Sequence, residues 1–122
     1  MNMRQFIYKI CARPSWEEAR KTGVFMGAEI DITDGYIHFS SQSQIAETLA
    51  LHFTSQPDVL LIEVDSEALE IKWEPSRGGQ LFPHLYASLP MQAVNAVWPL
   101  ELDANGVHIL PAFGAHQFVK QR

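Results

Sequence analysis

The alternation of apolar and polar residues divides the chain into short strands and helices that follow one another closely. Residues 6–12 are mostly apolar and rich in strand-forming side chains, and Pro14 ends this run. Ser15 and Glu18 then have the spacing of a capping box, and Gly23 is suited to a left-handed helix end. The pattern predicts a first strand that is followed at once by a helix.

A second strand is predicted over residues 36–40, after a turn at Asp34-Gly35. Its alternation directs Ile37 and Phe39 towards the core, because successive side chains of a strand point to opposite faces. The opposite face then carries Tyr36, His38 and Ser40. This polar face indicates the side on which a cleft would form.

The next element is an amphipathic helix. Ser41 and Gln44 repeat the capping-box spacing. The positions that follow at i, i+4, i+7 and i+8 are Ile45, Leu49, His52 and Phe53. We interpret His52, which lies on this stripe, as a packing residue.

The second half of the chain is predicted to hold mostly strands, at 59–64, 71–74, 94–102 and 107–110, with a helical turn at 89–93. The run at 59–64 is almost continuously apolar, as expected of a central strand covered on both faces. Pro99 places its strand near an edge or a bulge, and Asn105-Gly106 predicts a hairpin. The order of elements favours the α+β class.

The size of the chain matches one ordinary domain, with 122 residues of which 47% are hydrophobic. We expect a single domain over residues 1–122, with a core at about 6–111 and a C-terminal tail at 112–122. Phe113 and Phe118 are candidates to dock the tail on the core, whereas residues 120–122 are expected to fray.

The distribution of charge disfavours several classes of partner. The net charge of −5 is spread along the sequence without a run of lysine or arginine. We therefore expect no DNA binding and no membrane binding, with a short RNA end as the exception left open. No apolar stretch has the length of a signal peptide or of a membrane span.

The cysteine and histidine content argues against a metal site. Cys11 is the single cysteine, so an intrachain disulfide and a cysteine zinc cluster are excluded, and a reducing cytoplasm is the simplest location. No two histidines have the i, i+4 spacing of a helical zinc site. We therefore predict no metal, although ligands from distant elements would escape this pattern.

The segment 74–86 concentrates polar and titratable groups where we expect a loop. Gly78 and Gly79 permit positive φ and a close approach of the backbone to a ligand, and Arg77 presents donors suited to phosphate or carboxylate. His84 and Tyr86 can form hydrogen bonds nearby. These residues predict a small anionic ligand, and the alternative is an ordered loop that apolar side chains anchor to the core.

Two histidines are the candidate catalytic residues. His38 lies on the predicted cleft face beside Tyr36 and Ser40, and His84 is a candidate for ligand contact or acid–base chemistry. The alternatives are a histidine bonded inside the sheet and a structural tie to a loop carbonyl, respectively. Lys9 would meet a phosphate if the first strand lines the same cleft, although a solvated edge lysine is the simpler interpretation.

Several uncommon motifs occur in the order Tyr36-Ile37-His38-Phe39-Ser40, Trp73-Glu74, Arg77-Gly78-Gly79 and Phe82-Pro83-His84-Leu85-Tyr86. With these motifs the chain resembles the DUF952 family of small bacterial proteins over roughly residues 6–111. The resemblance implies an ADP-ribosyltransferase-like fold, with a split, bent, mixed or antiparallel β-sheet and two main flanking helices. It also implies a nicotinamide-dinucleotide cleft in which a residue placed like His38 contacts ribose.

The resemblance leaves the activity open between two hypotheses. Many members of the wider group use a glutamate on a later strand, and Glu74 is the candidate here, although an ion pair with Arg77 is its more ordinary role. Under the first hypothesis the protein acts on NAD or ADP-ribose by glycosidic, ADP-ribosyl or phosphoryl transfer, with no certain cofactor. Under the second it is a non-catalytic module that senses a metabolite or docks a partner peptide.

Overall fold

The computed structural model describes residues 5–112 and shows an α+β architecture with antiparallel sheets. Its strands are β1 (Phe6–Ala12), β2 (Val24–Phe25), β3 (Ile37–His38), β4 (Val59–Asp65), β5 (Ile71–Pro75), β6 (Leu81–Leu85), β7 (Leu89–Pro90) and β8 (Val94–Leu100). Its α-helices are α1 (Arg13–Thr22), α2 (Glu29–Asp34) and α3 (Ile45–His52). The α+β prediction is confirmed, whereas the predictions for Phe113, Phe118 and residues 120–122 lie outside the described residues.

The first sheet has the strand order β1-β4-β8, with antiparallel pairing throughout. As predicted for residues 59–64, β4 is central, and its first six residues are all buried. As predicted from Pro99, β8 lies at an edge, where a missing N–H is tolerated.

The second sheet has the order β3-β6-β5, and a short third pair joins β2 to β7. The two three-stranded sheets meet at an isolated bridge between Tyr8 and Ser40, whose backbone N–H and carbonyl groups exchange two hydrogen bonds of 2.8 Å. The bridge brings β1 beside the strand that carries His38.

Helix α1 follows β1 directly, as predicted, but it begins at Arg13. Pro14 lies in its first turn, because a proline there loses no intrahelical hydrogen bond. The capping box expected at Ser15 is therefore not the helix start, whereas Gly23 ends the helix with φ of 92° as predicted.

Helix α3 begins at Ile45 after a 3₁₀ turn at Gln42–Gln44. The predicted capping box is present, since the amide N–H of Ser41 donates to Oε1 of Gln44 at 2.9 Å. Ile45 and Leu49 are buried as predicted, but His52 is exposed, so its interpretation as a packing residue is wrong. The helix ends at His52, whose side chain is exposed although it lies on the apolar stripe of the helix.

Helix α2 was not expected from the sequence. Its last residue is Asp34, and Gly35, predicted as part of a turn, is its left-handed C-cap with φ of 89°. Two large apolar side chains, Ile30 and Ile32, are exposed by 57% and 66%. A six-residue helix that exposes its apolar residues has no amphipathic pattern from which to predict it.

The segment 74–86, predicted as a loop, is mainly the hairpin of β5 and β6. The turn contains a 3₁₀ segment at Arg77–Gly79, in which Gly78 and Gly79 have φ of 66° and 81°. Pro83 lies inside β6, and its carbonyl accepts a hydrogen bond from the Phe39 amide just beyond the end of β3. Because pairing with β3 stops there, the missing N–H of Pro83 breaks no ladder.

The C-terminal elements agree in part with prediction. A 3₁₀ turn occupies Met91–Ala93 within the expected helical turn. Asn105-Gly106 lies in a turn, but the strand expected at 107–110 is reduced to one bridge, between Leu102 and His108. Oδ1 of Asp103 accepts hydrogen bonds from the amides of Asn105 and Val107. This side chain thus replaces part of the backbone hydrogen bonding of a longer strand pair.

Within residues 5–112 the core has two clusters. One packs the inner face of α1 and β4 against β2, β3 and β7, and the other packs α3 against the opposite face of β1 and β4. Among residues 5–112, no helix is long and apolar enough to cross a membrane.

Candidate functional site

Strand pairing brings the two candidate histidines together. His38 in β3 and His84 in β6 are direct partners in the antiparallel register, so their side chains lie on the same face of the sheet. Their ring centroids are 5.7 Å apart in an edge-to-face arrangement. Residues that are 46 positions apart in the sequence thus form one pair.

Two aspartates hold the His38 ring. Its Nδ1 lies 2.6 Å from Oδ1 of Asp31, and its Nε2 lies 2.9 Å from Oδ2 of Asp34. Both aspartates come from α2, and neither was predicted as a site residue, since Asp34 was interpreted only as part of a turn. A carboxylate only accepts hydrogen bonds, so both contacts are hydrogen bonds together only when the ring carries two protons.

Lys9 and Asp31 form a buried ion pair beneath His38. The ammonium group is 2.7 Å from Oδ2 of Asp31 and donates to the His38 carbonyl at 3.1 Å, and Lys9 is 4% exposed. The interpretation of Lys9 as a solvated edge lysine is therefore wrong, because β1 is covered at this edge by the bridge to Ser40. A phosphate would have to displace Asp31 to reach this ammonium.

Asp31 also accepts hydrogen bonds from the backbone amides of Ala28, at 2.7 Å, and His38, at 3.1 Å. Burial by itself would raise the pKa of Asp31, but hydrogen bonds from His38 and the charge of Lys9 outweigh it and lower the pKa to about 2. Asp31 thus ties α2 to both β1 and β3 as a carboxylate.

Glu74 holds the second histidine. Its Oε1 lies 2.7 Å from Nδ1 of His84 and accepts a hydrogen bond of 2.7 Å from the Tyr86 hydroxyl. The hydrogen bonds from Tyr86 and then His84 lower the pKa of Glu74, and the bond to Glu74 raises the pKa of Tyr86 to about 12. The expected partner of Glu74 was Arg77, whose side chain lies outside the described part of the structure.

The contact with Glu74 fixes which nitrogen of His84 holds a proton. Because the carboxylate only accepts, Nδ1 of His84 donates to it, and in the neutral ring Nε2 is then an acceptor. His84 is 3% exposed, and within the part of the chain that the structure describes, which excludes the Arg77 side chain, no group forms a hydrogen bond with its Nε2. This nitrogen is the part of the ring left for a ligand.

Tyr36 packs against both histidines and against Tyr86. Its ring centroid is 4.5 Å from His38, 4.2 Å from His84 and 5.1 Å from Tyr86. Burial, followed by the nearby charges of Asp34 and Glu74, raises the pKa of Tyr36. Tyr36 thus packs as a phenol against both imidazole rings.

A cavity of about 760 Å³ opens beside the histidine pair. It is bordered by β1, α2, β3, α3 and β6, and most of its lining is apolar. Its polar and charged lining residues include Lys9, Glu29, Asp34, His38, Ser40, His52, Ser76 and His84. Both candidate histidines thus border one space, and so does His52 at the end of α3.

The other predicted site residues lie around this cavity in different ways. Ser40 is buried, borders the cavity and forms a hydrogen bond of 3.0 Å with Thr48. Glu74 and Tyr86 are on the β5–β6 side of the histidine pair and are not among the described lining residues. Gly78 and Gly79 form the exposed turn next to Ser76, which does line the cavity.

The buried thiol and the metal-ligating side chains offer no alternative site within the described residues. Burial, offset only in part by Lys9, raises the pKa of Cys11 to about 11, so it is poorly suited to act as a nucleophile. Among residues 5–112, no group of three or more His, Cys, Asp or Glu side chains could hold a metal ion.

Comparison with known proteins adds a family and a structural relative. Residues 10–97 match the family model DUF952, described as a protein of unknown function. The crystal structure of protein CC0527 from Caulobacter crescentus is 42% identical, has a TM-score of 0.83, and aligns over 93% of this chain and 98% of its own. The solution structure of CC0527 gives 43% identity, a TM-score of 0.76 and coverage of 91% and 95%. Among curated proteins, none matches the chain significantly.

Proposed function

The chain belongs to the DUF952 family, whose function is unknown, and from its site we propose that it binds a nucleotide-type ligand of the NAD or ADP-ribose class. One observation carries the proposal: His38 and His84, each held by a carboxylate, border the same cavity of about 760 Å³. Sites for small molecules are typically roughly 300–1,000 Å³ with a few convergent polar groups in an apolar lining.

An ADP-ribosyltransferase-like fold is part of the proposal. It is supported by the two three-stranded antiparallel sheets that meet at the Tyr8–Ser40 bridge, because such a division is what a split sheet requires. His38, on a short strand at this junction, has the placement that the resemblance implies for a ribose contact. Fold likeness alone does not determine chemistry, so the assignment of roles rests on the site.

Most of the predicted residues have a role in this proposal. His38 and Ser40 contact the sugar, and Tyr36 keeps the two imidazoles in position. The turn of Arg77, Gly78 and Gly79 holds the phosphates through Arg77 and the N–H of Gly78, since the N–H of Gly79 already donates to the Ser76 carbonyl at 2.9 Å.

The catalytic part of the proposal depends on Nε2 of His84. Glu74 orients the ring through Nδ1, with Tyr86 holding Glu74, and this leaves Nε2 to accept a proton from a ligand hydroxyl or water. Glycosidic, ADP-ribosyl or phosphoryl transfer would each use such a base. Lys9 takes no direct part, because its charge is already balanced by Asp31.

A non-catalytic binding module is the second candidate, and the position of Glu74 favours it. The carboxylate that ADP-ribosyl transfer would need at the sugar is bonded to His84 and Tyr86, and Glu74 is not among the described residues that line the cavity. In this case the same cleft senses a metabolite. In both cases we place the protein in the cytoplasm, since its single cysteine is a buried free thiol.

A thermal-shift screen tests ligand binding directly. The ligands are NAD, ADP-ribose, nicotinamide, mononucleotides and phosphorylated sugars, and a ligand at 100 times its Kd stabilises the folded protein by about 2.7 kcal/mol. We expect stabilisation by NAD or ADP-ribose that weakens in Arg77→Ala. No stabilisation by any of these ligands would contradict the proposal.

The substitution His84→Asn separates catalysis from binding. The Asn side chain can keep a donor near the position of Nδ1, and so its bond to Glu74, while it removes Nε2. The catalytic proposal predicts that turnover of NAD or ADP-ribose is lost while affinity changes little. The control is His108→Asn, which alters a histidine outside this cavity. Absence of turnover in the wild-type protein, with binding intact, would favour the binding module.

A further inference from the structure

We propose that the end of the cavity formed by His38 and Asp34 selects a sugar hydroxyl and excludes a phosphate. This inference rests on the proposed nucleotide site and specifies which part of the ligand lies at which wall. Both side chains border the cavity, and they remain accessible, with 31% and 37% of their side-chain surfaces exposed. They are joined by the 2.9 Å contact between Nε2 of His38 and Oδ2 of Asp34.

The pair offers a donor and an acceptor side by side. Asp31 holds Nδ1 of His38, so Nε2 is the ring nitrogen that faces Asp34 and the cavity wall. A hydroxyl group both donates and accepts hydrogen bonds, so it can donate to Asp34 while it shares the Nε2 proton that the contact with Asp34 requires. A carboxylate that bonds a ribose hydroxyl is also the usual device by which dinucleotide sites select an unphosphorylated ribose.

A phosphate has no favourable position at this wall. It carries no donor for Asp34, and its charge would lie against that carboxylate, with Glu29 on the same helix also lining the cavity. With His38 protonated, the two cations Lys9 and His38 are matched by Asp31 and Asp34, so Glu29 still leaves this wall with a net negative charge. The phosphate is therefore assigned to another part of the wall, where Ser76 leads into the Arg77–Gly79 turn.

Binding of matched ligands tests this assignment. The probes are ADP, 2′-deoxy-ADP, and ADP with an additional phosphate at the 2′ or the 3′ position, and calorimetry gives their affinities. We expect ADP to bind at least about tenfold more tightly than either phosphorylated analogue, because like charges are then brought together. We also expect 2′-deoxy-ADP to bind more weakly than ADP. Equal or tighter binding of both phosphorylated analogues would overturn the inference and leave the nucleotide site intact.

The variant Asp34→Asn tests whether Asp34 causes the preference for ADP over the phosphorylated analogues. It removes the negative charge and retains the size, so the discrimination between ADP and the phosphorylated analogues should fall to within about threefold. Asp58→Asn is the matched control, because it makes the same change on an exposed side chain outside the cavity. An unchanged preference in Asp34→Asn would overturn the role of Asp34. If no probe binds the wild-type protein, the nucleotide site and this inference fail together.

Discussion

At the scale of single residues, the carboxylates determine how the histidines are presented. Asp31 and Glu74 each occupy one Nδ1, which fixes the orientation of both imidazoles, and such orienting partners typically matter as much as the rings they hold. Tyr36, His38 and Ser40 could be placed on one face from alternation alone. Asp31 could not, because its role depends on Lys9, which lies 22 positions away in another element.

The buried ion pair predicts a large effect of one substitution. Asp31→Asn leaves the ammonium of Lys9 buried without its counter-charge, so we expect the free energy of unfolding to fall by about 3–5 kcal/mol in urea denaturation. Adding Lys9→Met should recover part of this loss. Asp34→Asn, at a more exposed site, should change the stability by less than about 1 kcal/mol. If Asp31→Asn also lowers the free energy of unfolding by less than about 1 kcal/mol, then Lys9 is not buried as described.

The same residue predicts a pH dependence of stability. Because the folded pKa of Asp31, about 2, is below its ordinary value of 3.8, its contribution is present above pH 3.8 and is lost as the pH falls towards 2. The shift corresponds to about 2 kcal/mol. Between pH 5 and pH 2, the wild-type protein should therefore lose about 2 kcal/mol more than Asp31→Asn does. Parallel losses in the two proteins would rule out a depressed pKa at Asp31.

A titration of the Tyr86 hydroxyl tests its hydrogen bond to Glu74. The pKa of Tyr86 is raised to about 12 chiefly by its hydrogen bond to Glu74, so Glu74→Gln should lower that pKa towards the ordinary 10. Ultraviolet absorbance follows the ionisation of the three tyrosines, and Tyr86→Phe identifies the signal of Tyr86. An identical titration curve in Glu74→Gln would mean that the hydrogen bond is absent in solution.

At the scale of elements, the short helix α2 is the part that sequence reasoning missed. It contributes Asp31 and Asp34 to the site, yet its exposed Ile30 and Ile32 and its six-residue length give no helical periodicity. Strand β6 was wrongly predicted as part of a loop, because the glycines and prolines near it favour a loop. Its extended conformation depends on pairing with β3 and β5, which local sequence does not specify.

Gly27 determines how the chain enters α2 and passes Asp31. Its φ is 116°, and a Cβ atom there would lie 2.7 Å from Cβ of Asp31. Gly35 also has positive φ, but a Cβ atom there meets open space. We therefore expect Gly27→Ala to reduce the free energy of unfolding by at least about 1 kcal/mol more than Gly35→Ala does. Equal effects of the two substitutions would show that the contact with Asp31 is relieved at no cost.

At the scale of the whole molecule, the order of elements predicted the α+β class and the central position of β4, because both follow from periodicity and turn residues. The division into two sheets and the cavity beside them could not be derived in this way. Both depend on the register that pairs His38 with His84 and on the bridge between Tyr8 and Ser40, which are long-range contacts. The candidate histidines were thus identifiable one by one, whereas their pairing was not.

The most direct test of a nucleotide site at the histidine pair is a heteronuclear NMR titration of the folded protein with ADP-ribose. The account predicts that the largest shift changes fall on the ring signals of His38 and His84 and on the backbone amides of residues 8–12 and 38–40 and of Thr48, His52 and Phe53, all of which border the cavity. Changes confined to the opposite side of the protein, or no change at saturating ligand, would contradict it.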